Sequence, residues 1–178
     1  MKKILIISSS LRAGSNSGAL AEAFARGARE AGHEAELISL RGKTVGFCRG
    51  CFVCQEKRRC VIRDDADAIC QKALNADVLV FATPIYYYEM SGQLKTLLDR
   101  LNPLFPSDYA FRDVYMLTAA AEDDAHVPQR AVSGLEGWIA CFERARLAGA
   151  VFMGGVTSPG ETPEHPALEQ AYRMGKSI

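Results

Sequence analysis

The sequence predicts an α/β protein, a doubly wound parallel sheet of five strands with helices on both faces, in three layers. Two observations carry this. Short, nearly all-apolar runs alternate with longer segments of helical period, giving the order β-α-β-α-β-α-β-α-β-α. The length of 178 residues matches one ordinary domain, so residues 1–178 are expected to form a single domain.

Each element has its own signal. Lys3 to Ser8 (KILIIS), Asp77 to Ala82 (DVLVFA), Val114 to Thr118 (VYMLT) and Ala150 to Gly154 (AVFMG) are apolar almost throughout, as strands buried on both faces are. Ala35 to Leu40 is less apolar and reads as an edge strand. Ser17 to Ala31 puts Leu20, Ala23, Phe24, Gly27, Ala28 and Ala31 on one helical face, and Gly32 supplies the stop. Asp64 to Ala76 is the next helix, capped by Asp64 or Asp65. Ser91 to Leu101 carries the stripe Leu94, Leu97, Leu98 and Leu101, with Ser91 as N-cap and Pro103 beyond the end. Gln129 to Arg146 and the C-terminal PEHPALEQAYRMGKS complete the helices.

Bulk composition excludes several classes. Lys plus Arg and Asp plus Glu are 21 each and interspersed, which gives no reason to expect a nucleic-acid or anionic-membrane partner. The apolar run of MKKILIISSS is too short for a signal core, and no stretch approaches a membrane span. A cytoplasmic protein with reduced thiols is therefore expected, not a disulfide framework on its six cysteines.

Ligands of doubly wound sheets bind beyond the carboxyl ends of the strands at the switch point. That rule selects the loops after strands one, three and four. The first, SSSLRAGSNSGAL (Ser8 to Leu20), is neither GxGxxG nor a nucleoside-triphosphate P-loop. Its hydroxyls, amide, arginine and helix N-terminus suit a phosphate monoester, and equally suit a polar turn capped by Ser17. The second, TPIYYYEMSGQLKTLLDR (Thr83 to Arg100), holds three consecutive tyrosines that cannot all face the core. One of them could stack on a flat ligand, or all could pack an ordinary βα corner.

Together the two loops resemble the flavodoxin-like NAD(P)H-dependent FMN reductases, and within them the iron-sulfur flavoproteins. Ser10, Arg12, Gly14, Asn16 and Ser17 match a family pattern of the form GSPRxxGNT, with Ser9 and Leu11 replacing its glycine and proline. Pro84, Ile85, Tyr86, Leu94, Lys95, Asp99 and Arg100 match PxYxxxxxxxLKxxxDR. The resemblance implies a flavodoxin-like sheet of strand order 2-1-3-4-5. It implies FMN held at its phosphate by Ser10, Arg12, Ser15, Asn16 and Ser17, with Pro84, Ile85, Tyr86, Tyr87, Tyr88, Glu89 and Met90 around the isoalloxazine. The loop after strand four, TAAAEDD, departs from the family's glycine-rich stretch; its nominal contacts are Ala119, Ala120, Ala121 and Glu122.

Four cysteines fall in CRGCFVCQEKRRC with spacing C-x2-C-x2-C-x5-C: Cys48, Cys51, Cys54 and Cys60. The long separation between knuckles usual for structural zinc is missing, and three cysteines at successive x2 intervals with a nearby fourth suit a [4Fe-4S] cluster. Iron-sulfur flavoproteins carry such a motif, whereas relatives that resemble plain reductases carry a similar GCxxC segment without a cluster. Structural or redox-active thiols are thus the competing reading, favoured equally by Lys57, Arg58 and Arg59, and a catalytic nucleophile comes last. The segment is expected at the carboxyl edge beside the flavin loops.

Cys70 and Cys141 read as core filler, Trp138 as packing of a helix on the sheet, and His33 as exposed. His126 reads as a solvated loop residue and His165 as a helix start. The function implied is transfer of electrons from NAD(P)H through FMN to a quinone, flavin or other small acceptor. No side-chain acid–base catalyst is expected, because the cofactor supplies the chemistry. The alternative is an electron-transfer protein with FMN and [4Fe-4S], exchanging electrons with ferredoxin-like partners. A homodimer or higher homo-oligomer follows from the resemblance.

Overall fold

A computed structural model describes residues 1–160 and 164–178. Five strands, β1 (Lys3–Ser8), β2 (Glu34–Ser39), β3 (Val78–Tyr86), β5 (Asp113–Ala119) and β6 (Arg146–Met153), run parallel in the order β2-β1-β3-β5-β6. Counted by themselves they stand in the predicted order 2-1-3-4-5. A further strand, β4 (Glu89–Met90), pairs antiparallel with the end of β3 and was not foreseen.

Alternation along each strand divides the core in two. Ile4, Ile6, Val78 and Val80 meet α1 (Asn16–Glu30) and α6 (Pro166–Lys176) on one face. Leu5, Ile7, Leu79 and Phe81 meet α3 (Asp65–Leu74), α4 (Gly92–Arg100) and α5 (Gln129–Ile139) on the other. A short helix, α2 (Val53–Lys57), lies outside both layers. Two glycines set the closeness of α1 and α6: a Cβ on Gly27 would fall 2.0 Å from the Tyr172 carbonyl oxygen, and one on Gly175 would fall 2.1 Å from that of Phe24. Gly32 takes the left-handed φ of 86° that ends α1.

The boundaries that moved did so for physical reasons. β3 continues through Thr83 and Pro84, which still pair with Thr118 and Ala119. β6 begins four residues early because it is an edge strand whose first half is solvated, so its apolar signal is diluted. The helix predicted to Arg146 stops at Ile139, and Phe142 folds back into a ring cluster with Tyr109, Phe111 and Trp138. Trp138 also meets Phe81 edge-on at 5.8 Å, packing α5 on the sheet as expected. The cap of α1 is Ser15, not Ser17: its Oγ accepts the Gly18 N–H at 3.1 Å. Pro163, where the last helix was expected to open, lies outside the described residues; His165 caps α6, its Nδ1 accepting the Ala167 N–H at 3.1 Å. His33 is half-buried, its Nδ1 accepting the Lys2 N–H at 3.2 Å.

Candidate functional site

A cleft of about 240 Å3 opens at the carboxyl ends of β1, β3, β5 and β6. Its wall contains Ser10, Arg12, Ser15, Asn16, Ser17, Pro84, Ile85, Tyr86, Ala119, Ala120 and Ala121, so the three loops chosen from sequence converge on it. Sequence reasoning missed its fourth side, Val156, Thr157 and Pro159 after β6. The signal available was that a fifth parallel strand ends at the same edge, followed by a hydroxyl pair. Arg12 reaches across to this side, Nη1 donating to the Thr157 carbonyl at 2.8 Å.

The N-terminus of α1 supplies the polar end of the cleft. With Ser15 as cap, the first-turn N–H groups of Asn16 and Ser17 have no helical acceptor. Asn16 Oδ1 and Ser17 Oγ are buried without a hydrogen-bond partner, although both residues face the cleft. Leaving such groups unsatisfied costs about 1–3 kcal/mol each, so the site is built for a polar guest. A phosphoryl group with attached hydroxyls, met by the positive end of the helix, fits this donor and acceptor set.

The tyrosine segment divides three ways. Tyr86 borders the cleft, whereas Tyr87 is 99 % exposed. Tyr88 Oη donates to the Glu122 carboxylate at 3.0 Å, and its ring stacks on His126 with centroids 5.9 Å apart. Tyr87 and Tyr88 form the two-residue turn between β3 and β4 at φ of 51° and 65°, a left-handed pair normally filled by Asn-Gly. Glu89 turns back to accept the Met90 N–H at 2.8 Å, and Met90 is buried near Gly134 of α5. Tyr87, Tyr88, Glu89, Met90 and Glu122 are therefore neighbours of the cleft and not part of its wall. His126 is tied to Asp124 by both backbone and ring nitrogen, which hold that carboxyl below its ordinary pKa.

The cysteine segment lies elsewhere. A cavity of about 550 Å3 is lined by Cys48, Cys51, Cys54, Cys60 and also Cys141, with Phe52, Phe105, Trp138 and Phe142 among its walls. It sits at the far end of α4, not at the carboxyl edge as expected. The segment from Leu40 descends beside α4 until Gly46 and Ile62 offer their carbonyls to Arg100, at 2.8 and 3.1 Å. Ser91, at the other end of α4, belongs to the cleft side, and at about 1.5 Å rise per residue the separation is roughly 13 Å.

Arg100 anchors this descent. Its side chain is fully buried and pairs with Asp64 at 2.7 and 2.9 Å. Burial pushes the Asp64 carboxyl up, but Arg100 and the N–H groups of Gly46 and Ala66 outweigh it and hold it below the ordinary range. Asn102 Nδ2 donates to Cys54 Sγ at 3.1 Å and the Gly50 N–H to Cys48 Sγ at 3.5 Å. The basic run does not simply surround the thiols, since Arg59 is committed to Asp67 at 2.7 to 3.1 Å. Cys70 is buried as expected, and burial with the nearby Asp67 pushes its thiol up to about 12. Cys141 is exposed, contrary to expectation, because α5 ends before it. Among the described residues, no three His, Cys, Asp or Glu side chains converge to hold a metal ion.

A three-layer sheet of order 2-1-3-4-5 with a phosphate-sized cradle beyond β1 defines a flavodoxin-like protein. The chain belongs to the NADPH-dependent FMN reductase family, whose pattern matches residues 2–158. It is similar to the iron-sulfur flavoprotein MJ1083 of Methanocaldococcus jannaschii, 39% identical over 102 residues, 57% of this chain and 53% of that protein. The match therefore spans about half the length of that relative. YwqN of Bacillus subtilis, named for an NAD(P)H-dependent FMN-containing oxidoreductase, is 30% identical over 98% of this chain and 97% of its own. The fold is similar to that of an NAD(P)H:quinone oxidoreductase from Methanothermobacter marburgensis, with TM-score 0.72, 18% identity, and coverage of 98% and 94%. Among the described residues, no helix is long and apolar enough to cross a membrane.

Proposed function

We propose that the chain is a single-domain, cytoplasmic FMN-dependent NAD(P)H oxidoreductase that passes electrons to a quinone, a flavin or another small acceptor. The observation that carries this is the pair of buried, partnerless groups, Asn16 Oδ1 and Ser17 Oγ, at the free N-terminus of α1 inside the cleft. Ser10, Arg12, Ser15, Asn16 and Ser17 hold the phosphate end. Pro84, Ile85, Tyr86 and Ala119 to Ala121 border the ring, and Tyr87, Tyr88, Glu89, Met90 and Glu122 fix the hairpin beside it. Bound FMN supplies reversible two-electron chemistry between NAD(P)H and the acceptor. The chain's own part is to neutralise the phosphoryl charge, orient the ring and leave one face open. The same reading makes the protein a homodimer or higher homo-oligomer. Anaerobic titration with FMN, then NADPH or NADH, is expected to show flavin uptake, bleaching by the donor and recovery on adding a quinone. Protein that takes up no FMN, or whose flavin neither donor reduces, overturns the reading.

A second reading adds a [4Fe-4S] cluster on Cys48, Cys51, Cys54 and Cys60 and makes the chain an electron-transfer protein with ferredoxin-like partners. One observation favours it: all four thiols border one cavity, and two of their sulfurs receive N–H donors. The thiols do not converge as they stand, so ligation requires the loop to tighten. Iron and acid-labile sulfide measured after anaerobic purification decide it; FMN-loaded protein without either rejects this reading alone.

A further inference from the structure

Ser9 stands where the family pattern has glycine, yet its backbone does not use glycine's freedom, because its φ is not positive. Its N–H donates to the Ala82 carbonyl at 2.8 Å, joining the phosphate loop to β3. Its side chain points away from the cleft into a fully buried set of three hydroxyls. Ser9 Oγ lies 2.9 Å from Ser91 Oγ, and Ser91 Oγ lies 3.2 Å from Thr83 Oγ1. Ser9, Thr83 and Ser91 are 0, 0 and 1 % exposed.

Thr83 Oγ1 donates to the Pro84 carbonyl at 3.0 Å and accepts the Ser91 N–H at 3.0 Å. Ser91 Oγ accepts the Leu94 N–H at 3.3 Å, capping α4. The three hydroxyls form one buried chain, Ser9 to Ser91 to Thr83: either hydroxyl of the Ser9–Ser91 pair can donate, and the single Thr83 proton has two acceptors in reach, Ser91 Oγ at 3.2 Å and the Pro84 carbonyl at 3.0 Å. Its first member adjoins Ser10, at the phosphate end of the cleft, and its last carries the hairpin that begins at Pro84, at the ring end. Between Thr83 and Ser91 lies the turn with two left-handed tyrosines, which persists only if its base is over-determined.

We propose that Ser9, Thr83 and Ser91 are positioning residues that couple the phosphate end of the cleft to the ring end, so that occupation of the first sets the hairpin bordering the second. Buried hydroxyl chains transmit such coupling because each member's orientation depends on the next. The inference rests on the flavin reading and adds to it a role for a residue that the family pattern lacks.

The test compares FMN with riboflavin, which differs from it by the phosphoryl group alone. Both are titrated by fluorescence quenching into wild type, Ser9→Ala, Ser9→Gly, Thr83→Val and Thr83→Ser, with Tm recorded for each. Wild type is expected to favour FMN strongly. Ser9→Ala, Ser9→Gly and Thr83→Val are expected to reduce the ratio of riboflavin Kd to FMN Kd about 5- to 10-fold, and Thr83→Ser to restore it. The double variant Ser9→Ala with Thr83→Val is expected to lose no more than either single variant, the signature of one shared network. A lower Tm with an unchanged ratio, or losses that multiply in the double variant, overturns the coupling and leaves the flavin reading intact. Wild type that binds neither ligand overturns both. If Thr83→Val fails to fold, the two Ser9 variants carry the same comparison.

Discussion

The strand-end cleft and the thiol cavity occupy opposite ends of α4 and are built on different principles. The cleft is made where strands end: small hydroxyl residues, a helix N-terminus and backbone N–H groups are placed by the sheet itself. The thiol cavity is made by a long excursion outside the sheet, held by one buried ion pair, Arg100 with Asp64, and by sulfur-directed N–H groups. A site at strand ends inherits the rigidity of the core. A site on an excursion is only as firm as its clamp.

The comparison is broken most severely through Arg100. Arg100→Met leaves the Asp64 carboxylate buried and unpaired, which is expected to cost about 3–5 kcal/mol of stability. Urea denaturation measures the loss, and FMN affinity of the still-folded fraction should change less than about threefold if the two ends are independent. A loss under about 1 kcal/mol would show that the excursion is held by something else.

The cleft end is sharpened by Ser17→Ala. Removing this hydroxyl deletes an unsatisfied group from the free protein and a donor from the bound one. FMN affinity is expected to fall about tenfold, roughly 1.4 kcal/mol, while Tm holds or rises. A fall in Tm with unchanged affinity would assign Ser17 to folding alone.

Strain in the hairpin gives an effect of similar size and opposite sign. Replacing Tyr87 and Tyr88 together by Asn and Gly relieves two left-handed side chains and is expected to stabilise the fold by about 1–2 kcal/mol. Calorimetry reads the rise in Tm, and a fall would mean that the Tyr88–Glu122 bond outweighs the strain.

Acid should release the thiol end first. Asp64 and Asp67 are both held below the ordinary carboxylate range, so their contribution is full above the unfolded value near pH 4 and fades as pH falls below it. Pepsin digestion from pH 4 downward is expected to cut between residues 47 and 63 before the cleft loops; simultaneous cutting would refute the order.

The same contrast explains what the sequence made legible. Strands such as KILIIS and DVLVFA are readable because burial on both faces leaves no polar position, and the α4 stripe with its Ser91 cap is a local signal. The cleft followed from them by the strand-end rule, except for its β6 side, where the strand itself was half hidden by its exposed edge. The Tyr87–Tyr88 turn lacks the Asn-Gly signature, so β4 was invisible. The descent of the cysteine segment depends on Arg100 meeting residues 36 and 54 positions earlier, and no local pattern encodes such a meeting. Phe142, likewise, left the helical period because two distant rings, Tyr109 and Phe111, together with Trp138 offered better packing.

The reciprocal glycines of α1 and α6 bear on all of this. Where two main chains touch, no rotamer can yield, so the joint has no slack and locks the azimuth of α1 about its own axis. The aim of its opening turn, and hence the direction from which an anion is received, is thereby set by a contact with the neighbouring helix of the same layer. A single methyl at Gly27 or Gly175 should accordingly act as a wedge felt at the distant mouth.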